Sequence, residues 1–391
     1  MKKSKYSTVI DFGKSNLRLG VFNENSKNIF SISKDIIQKD DFTEHSKILN
    51  LLIRSAEKKV STHLENIIVL YDHPKIFSID LSIKKDFDQI VFVKDIYPSL
   101  IMEANQLISN NYINYKILHL ITSKFTIDGK EYFEKVADNF KTKSIVVELK
   151  FLSLNKEIYN KISQIFKINN LQILNLFCTS YVKSFSYKNH FMKSDHVTFL
   201  DIGWERSTIL SYKNSRLVCF NSVPLGGNHI TKDISKVLKL NLEDSEKIKK
   251  SFNKSEIEFS FDKGNDDGKK LLKEVIGKNI STELLKKVVL SRIEEILLLV
   301  FKDTYFLDDI KLSKNSNLVL TGKGSILFDK NSFHLDNKHN FNEINFYEET
   351  DSEICNAGFY FNIDDNNEIK IINKSVKKAG FFEKFFNLFS R

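Results

Sequence analysis

A hydrophobic strand that runs into Asp-x-Gly at a tight turn occurs twice in this chain, at Val9-Ile10-Asp11-Phe12-Gly13-Lys14-Ser15 and at Phe199-Leu200-Asp201-Ile202-Gly203-Trp204-Glu205. The copies lie nearly half the chain apart, and similar elements are read after each. Strands at 6–11, 16–22 and 29–33 make one expected meander; strands at 196–201, 207–213 and 216–223 make the other. A repeat on this scale predicts internal duplication. A Gly straight after a buried strand lets backbone N–H groups close on an anion, and an Asp at the strand end can face a phosphate-bound Mg2+. Either segment alone also suits an ordinary Asp-Gly turn.

With 391 residues the chain exceeds one ordinary core, so two or more domains are expected. Hydrophobic residues make up 41% and only 3 are Pro, which excludes a disordered chain. The net charge of +9 comes from Lys spread along the whole sequence, as on a solvated surface, and no helix-turn-helix, zinc finger or aromatic-basic array points to nucleic acid. Cys178, Cys219 and Cys355 are far apart in apolar stretches and read as reduced thiols of a cytosolic protein. The opening residues carry no apolar signal region, so the chain is expected in the cytoplasm. The apolar stretch 284–301 holds Lys286, Lys287, Arg292, Glu294 and Glu295, which excludes a bilayer span.

Between the first meander and the second repeat, helical spacing at 44–61 precedes a strand at 67–71. A separate module is expected at about 84–164, with helices at 96–110 and 155–168 and strands at 115–126 and 144–152 around Asp128-Gly129. After the second meander, Pro224-Leu225-Gly226-Gly227-Asn228-His229-Ile230-Thr231-Lys232-Asp233-Ile234 opens an amphipathic helix with two glycines. Free N–H groups and the positive helix end suit a phosphate there; a helix capped by Asn228 without ligand is the other reading. Glu246 and Lys249 share one face of the next helix, either as an exposed ion pair or as a ribose contact. Strand 318–320 runs into Thr321-Gly322-Lys323-Gly324-Ser325, which suits close approach to a ring or phosphate, or a plain strand-to-helix turn.

This series of motifs resembles the actin/Hsp70/hexokinase superfamily and, within it, the bacterial cell-division family FtsA. The stretch Val223 to Ile234 is close to that family's P-x-G-G-x-H-I-T-x-D-I, and the 84–164 module is similar in position and size to its characteristic small domain. The resemblance covers essentially the whole chain. It implies an α/β, duplicated actin-like (ribonuclease H-like) two-lobed fold with an inserted small α+β domain. Residues 1–83 and 165–195 would form the first subdomain, 196–227 and 304–362 the second, and 228–303 a helical/β subdomain of the cleft.

The resemblance further implies ATP between the lobes, contacted by Asp11, Gly13, Lys14, Ser15, Asn16, Asp201, Gly203, Ser207, Thr208, Gly226, Gly227, Glu246, Lys249, Gly322, Lys323 and Gly324. Asp11 and Asp201 would hold Mg2+ through Mg-ATP. Expected partners are the C-terminal peptide of the tubulin-like FtsZ, further copies of the chain in actin-like filaments, and later division proteins. Lys247, Lys249 and Lys250 are the candidate basic positions for FtsZ docking.

The tail carries a separate argument. After a linker at 363–379, residues 380–391 read as an amphipathic helix: Phe381, Phe382, Phe385, Phe386, Leu388 and Phe389 form one face, bordered by Lys377, Lys378, Lys384 and Arg391. Burial of such side chains contributes about 1.5–3 kcal/mol each, less the cost of ordering the helix. Anionic lipid suits this face, at the cytoplasmic side of the inner membrane; docking back onto the protein is the alternative.

Several residues depart from the family pattern. Trp204 and Glu205 stand where relatives have small residues, Lys14 replaces Thr or Ser, and Lys323 replaces a glycine. No motif nominates a catalytic acid or base. The remaining alternatives are a small-molecule kinase or phosphatase of the same superfamily and a pilus-assembly relative.

Overall fold

The computed structural model describes residues 5–36, 42–133, 139–191, 194–252, 281–302, 315–328 and 341–364. The tail, with every residue expected above to face lipid, lies outside them.

The duplication is visible in the strand order of two sheets. The first contains β1 (Tyr6–Phe12), β2 (Asn16–Asn23), β3 (Asn28–Asp35), β4 (Asn66–Leu70) and β9 (Gln172–Phe177), ordered β3-β2-β1-β4-β9. The second contains β10 (His196–Ile202), β11 (Ser207–Lys213), β12 (Arg216–Val223), β13 (Ser316–Thr321) and β14 (Glu343–Phe346), ordered β12-β11-β10-β13-β14. In each, a meander is followed by two parallel strands: β1 pairs with β4 and β10 with β13. All of β10 and most of β1 are buried, as expected for parallel strands covered on both faces. Both expected meanders are present.

The inserted module is a sheet ordered β5-β8-β6-β7, from β5 (Phe77–Phe92), β6 (Tyr115–Ile127), β7 (Lys130–Tyr132) and β8 (Lys141–Asn155). Helix α2 (Val93–Asn111) covers it through Leu100, Ile101, Ala104 and Ile108. β5 starts ahead of residue 84, the expected start of the module, and its charged residues line the exposed face of a half-exposed sheet. Helix α3 (Lys156–Ile168) buries Ile162, Ile165 and Phe166 in the first lobe's core rather than in the module's. Arg216 of β12 donates to the Thr122 carbonyl at 3.1 Å, so the module also rests on the second lobe.

Helix α1 (Phe42–Val60) packs on the first sheet, while α5 (Gly227–Leu238), α6 (Leu242–Ser251) and α7 (Thr282–Val300) belong to the second lobe. Two further helices join the lobes. α4 (Thr179–Tyr187) follows β9 and bonds β11 through Ser184 and the Tyr212 hydroxyl at 2.8 Å. α8 (Asp351–Ile363) leaves the second sheet after β14 and lies on the first, where Phe359 stacks on Phe22 at 4.1 Å. Among the described residues no helix is long and apolar enough to cross a membrane.

The seat of α8 depends on two glycines. A Cβ at Gly20 of β2 would meet Cys355 Cβ at 2.8 Å, and one at Gly358 would meet Val9 and Leu70 methyls at 2.9 Å. Overpacking of this kind typically costs about 1–3 kcal/mol. Gly358→Leu is expected to lower the urea midpoint accordingly. Gly129→Asn, at a hairpin position with φ +84 and nothing near its Cβ, is expected to unfold within about 1 kcal/mol of the parent.

Candidate functional site

Each strand-end carboxylate is held by a protein cation. Asp11 faces Arg18 across the β1–β2 pair, and Arg18 Nη1 donates to Asp11 Oδ2 at 2.5 Å. Thr179 Oγ1, at the start of α4, donates to the other oxygen at 3.1 Å. Arg18 Nε donates to Asp351, the first residue of α8, which also accepts from Ser33 Oγ at 2.5 Å. Burial works against the guanidinium charge, but Asp11 and Asp351 more than offset it and hold its pKa above the ordinary value.

Asp201 has the same kind of partner from a different place. Lys183 Nζ on α4 donates to Asp201 Oδ1 at 2.8 Å, and Thr321 Oγ1 reaches that oxygen at 3.2 Å. The same ammonium lies 2.9 Å from Glu349 Oε1, on the segment between β14 and α8. The Gly322 N–H donates to Glu349 Oε2 at 3.0 Å. Burial opposes the Lys183 charge, yet the two carboxylates keep its pKa raised. Burial pushes Glu349 upward, with Lys183 opposing and Asp201 adding to the shift. Lys183 is only 5% exposed.

This arrangement does not fit the magnesium ion expected at Asp11 and Asp201. Mg2+ demands near-ideal octahedral oxygen coordination, and here a guanidinium and an ammonium already stand at hydrogen-bond distance from the two carboxylates. Like charges 4 Å apart repel by about 4 kcal/mol per unit pair at an effective dielectric of 20. Among the described residues, no group of three or more His, Cys, Asp or Glu is placed to hold a metal.

The expected glycines gather in one place, but they pack against protein backbone. Gly203 N–H closes a turn on Arg206 O at 2.9 Å. Gly227 and Asn228 N–H groups, at the start of α5, donate to the carbonyls of Gly203 and Trp204 at 2.9 and 2.8 Å. A Cβ at Gly226 would meet Trp204 O at 2.8 Å. Gly322 adopts φ +82, in the left-handed region, and a Cβ there would lie 2.6 Å from Ile202 O. Gly324 packs on the same residue. Thus helix α5 and the turn after β13 both dock on the Asp201 loop.

Glu246 and Lys249 complete this assembly. Their ion pair is 2.7 Å long, and Lys249 Nζ also donates to Gly227 O and Thr231 Oγ1, both at 2.9 Å, and lies 4.7 Å from the Trp204 ring centre. The pair is therefore an interior tie between α6, α5 and the loop rather than an exposed one. Lys249 is buried and unavailable to a docking peptide, whereas Lys247 is exposed beside Glu243. Ser207 Oγ donates to Leu225 O at 2.8 Å, and Thr208 is buried.

The first loop meets the second directly. Lys14 Nζ lies 3.8 Å from Glu205, and a Cβ at Gly13 would meet Asn16 O at 2.7 Å. Asn16 Nδ2 donates to Asp35 at 2.7 Å, Ser15 O accepts from Ile36 N–H, and Lys323 lies 3.7 Å from Asp35. Lys323 thus points outward to the first lobe, and the nominated residues of both lobes meet at one cleft.

Sequence reasoning missed Arg18, Lys183, Glu349 and Asp72. Asp72 follows β4 and pairs with Arg206 of the second loop at 3.3 Å, while accepting from Cys178 Sγ at 3.1 Å and Ser180 N–H at 3.0 Å. Burial raises its carboxyl pKa, opposed chiefly by Arg206. Beside it, burial and then the charges of Lys14, Arg206 and Lys75 lower the His73 pKa to about 4. One signal was readable: Arg18 stands opposite Asp11 in the expected hairpin.

Comparison with known proteins agrees with this architecture. Residues 198–382 match the family model for cell division protein FtsA. The chain is 24% identical over 327 residues to cell division protein FtsA of Bacillus subtilis (strain 168), covering 78% of this chain and 70% of that one. A chain of the PilM-PilN type IV pilus biogenesis complex superposes with a TM-score of 0.58 at 12% identity, covering 91% and 98% of the two chains, which shows a shared fold. Residues 198–382 are thus similar to the FtsA family, and the chain as a whole shares the fold of that pilus-complex chain.

Proposed function

We propose that this protein is an actin-like, ATP-binding division scaffold that ties FtsZ filaments to the cytoplasmic face of the inner membrane through its C-terminal segment. The observation that carries this reading is the joining, in one chain, of similarity to the FtsA family over 198–382 and a Phe-rich amphipathic sequence at 381–389. Self-association, docking of the FtsZ C-terminal peptide on the 228–303 subdomain and recruitment of later division proteins belong to the same proposal. The subdomain limits given above belong to it as well, with the module's sheet starting at Phe77.

ATP would lie between the two loops, with Lys14 as the cation nearest its phosphates, Gly226 and Gly227 at the start of α5 also on the phosphate side, and Glu246, Lys249, Gly322 and Gly324 toward its nucleoside. Entry of the polyphosphate requires Lys14 to exchange Glu205 for phosphate oxygens. The remaining loop residues, Gly13, Ser15, Asn16, Gly203, Ser207, Thr208 and Lys323, frame this space. The proposal assigns no residue to hydrolysis. The pilus-assembly alternative has only fold similarity behind it, whereas the FtsA reading also has sequence similarity.

Membrane attachment is tested by co-sedimenting the full chain and a chain ending at Lys378 with vesicles containing anionic lipid. The full chain is expected to pellet, less so as salt screens its lysines, and the shortened chain to stay in solution. Equal pelleting removes the tether. For the cleft, Lys14→Ala is expected to weaken binding of a fluorescent ATP analogue by about 10–100-fold, as for loss of a charge-assisted hydrogen bond of about 1.5–3 kcal/mol. Glu205→Gln, which frees Lys14 from its competing carboxylate, is expected to tighten it.

A further inference from the structure

We infer that this cleft has its own built-in cations at Asp11 and Asp201 and takes its anionic ligand without a protein-held divalent metal ion. The part that concerns nucleotide rests on the reading above; the part that concerns metal does not.

Both carboxylates already have partners within the protein. Asp11 accepts from Arg18 on one oxygen and from Thr179 on the other. Asp201 Oδ1 accepts from both Lys183 and Thr321, and the backbone of Gly322 crowds the same oxygen so closely that a Cβ would lie 2.7 Å away. Each cation is also shared with a second carboxylate, Arg18 with Asp351 and Lys183 with Glu349. A metal ion at Asp201 must therefore displace an ammonium that is buried at the junction of both lobes. The displaced ammonium would keep Glu349 alone and lose one of its two buried carboxylate partners, and weakening a buried charge network in this way is unfavourable.

The placement of Lys183 makes displacement harder. It lies on α4 between Tyr181, which packs edge-on to His119 and Phe361, and Ser184, which bonds the Tyr212 hydroxyl. The loops are also drawn together around it by Asp72–Arg206 and Lys14–Glu205. A protein ammonium thus fills the role that a bound cation fills elsewhere: it neutralises a strand-end carboxylate and leaves the nearby loops free to face an anion.

The test uses the full chain with Mn2+ alone as a paramagnetic probe, and a fluorescent ATP analogue in EDTA or in Mg2+. The expected results are no stoichiometric loss of the free Mn2+ resonance signal and analogue affinities within about threefold of each other in the two buffers. Lys183→Met, which leaves Asp201 facing Glu349, is expected to gain Mn2+ binding and a Mg2+-dependent rise in unfolding temperature. Should that variant not fold, Arg18→Met does the same for Asp11 and Asp351. Mn2+ binding by the parent chain that Asp201→Asn abolishes overturns the inference, as does analogue binding that requires Mg2+. Absence of analogue binding in both buffers, with no Mn2+ bound, removes the nucleotide reading and leaves the metal inference standing.

Discussion

The ammonium of Lys183 holds the two halves of this molecule together. It sits on the helix that leaves the first sheet, pairs with the carboxylate that ends the central strand of the second, and meets Glu349 on the segment that returns to the first. Both crossings of the chain between lobes therefore converge on one buried charge. A buried ion pair of this kind contributes modest net stability, because desolvation offsets much of its attraction. Its effect is to specify position: the lobes must meet where all three groups are satisfied, since leaving any one unpaired is costly.

Around that point the glycines act as spacers between backbones. Gly226, Gly322 and Gly324 let helix α5 and the turn after β13 close onto the Asp201 loop, and Gly20 and Gly358 let α8 lie flat on the first sheet. The same residue type in the same local pattern serves phosphate binding in many nucleotide sites, because both uses need backbone without a Cβ. Here Trp204 and Glu205 are accommodated by that packing. Trp204 lies beside the Lys249 ammonium, and Glu205 faces Lys14 across the cleft.

Much of the fold was legible because it is written in short-range periodicity. Alternation and continuous apolar runs located both meanders, and 3.6-residue spacing located the helix at 44–61 and the helices of the second lobe. β5 escaped notice because its outward face carries Asp80, Lys84, Asp86 and Asp88 and its inward face of Ile79, Leu81, Ile83 and Phe87 is broken by Lys85, so no clean alternation marks its sixteen residues. Helix α3 was read correctly as a helix but assigned to the module, because its apolar stripe does not state which core it enters. Within the site, the loops and glycines were found by motif, while their partners were not. Asp11 and Arg18 are linked by hairpin register, which is local; Lys183, Asp201 and Glu349 come from three separate elements.

By itself, then, the sequence determined the duplication, the approximate place of the insertion, the two Asp-x-Gly turns and the amphipathic character of residues 380–391, since each depends on residue type and spacing along the chain. Only the tertiary structure decided that Asp11 and Asp201 belong to Arg18 and Lys183, that Lys249 turns inward beneath Trp204, and that α8 closes on the first sheet. Those outcomes depend on which side chains packing brings within a few ångströms. Charge and hydrogen-bond energies at that range depend on distance and burial, and neither is carried by sequence separation.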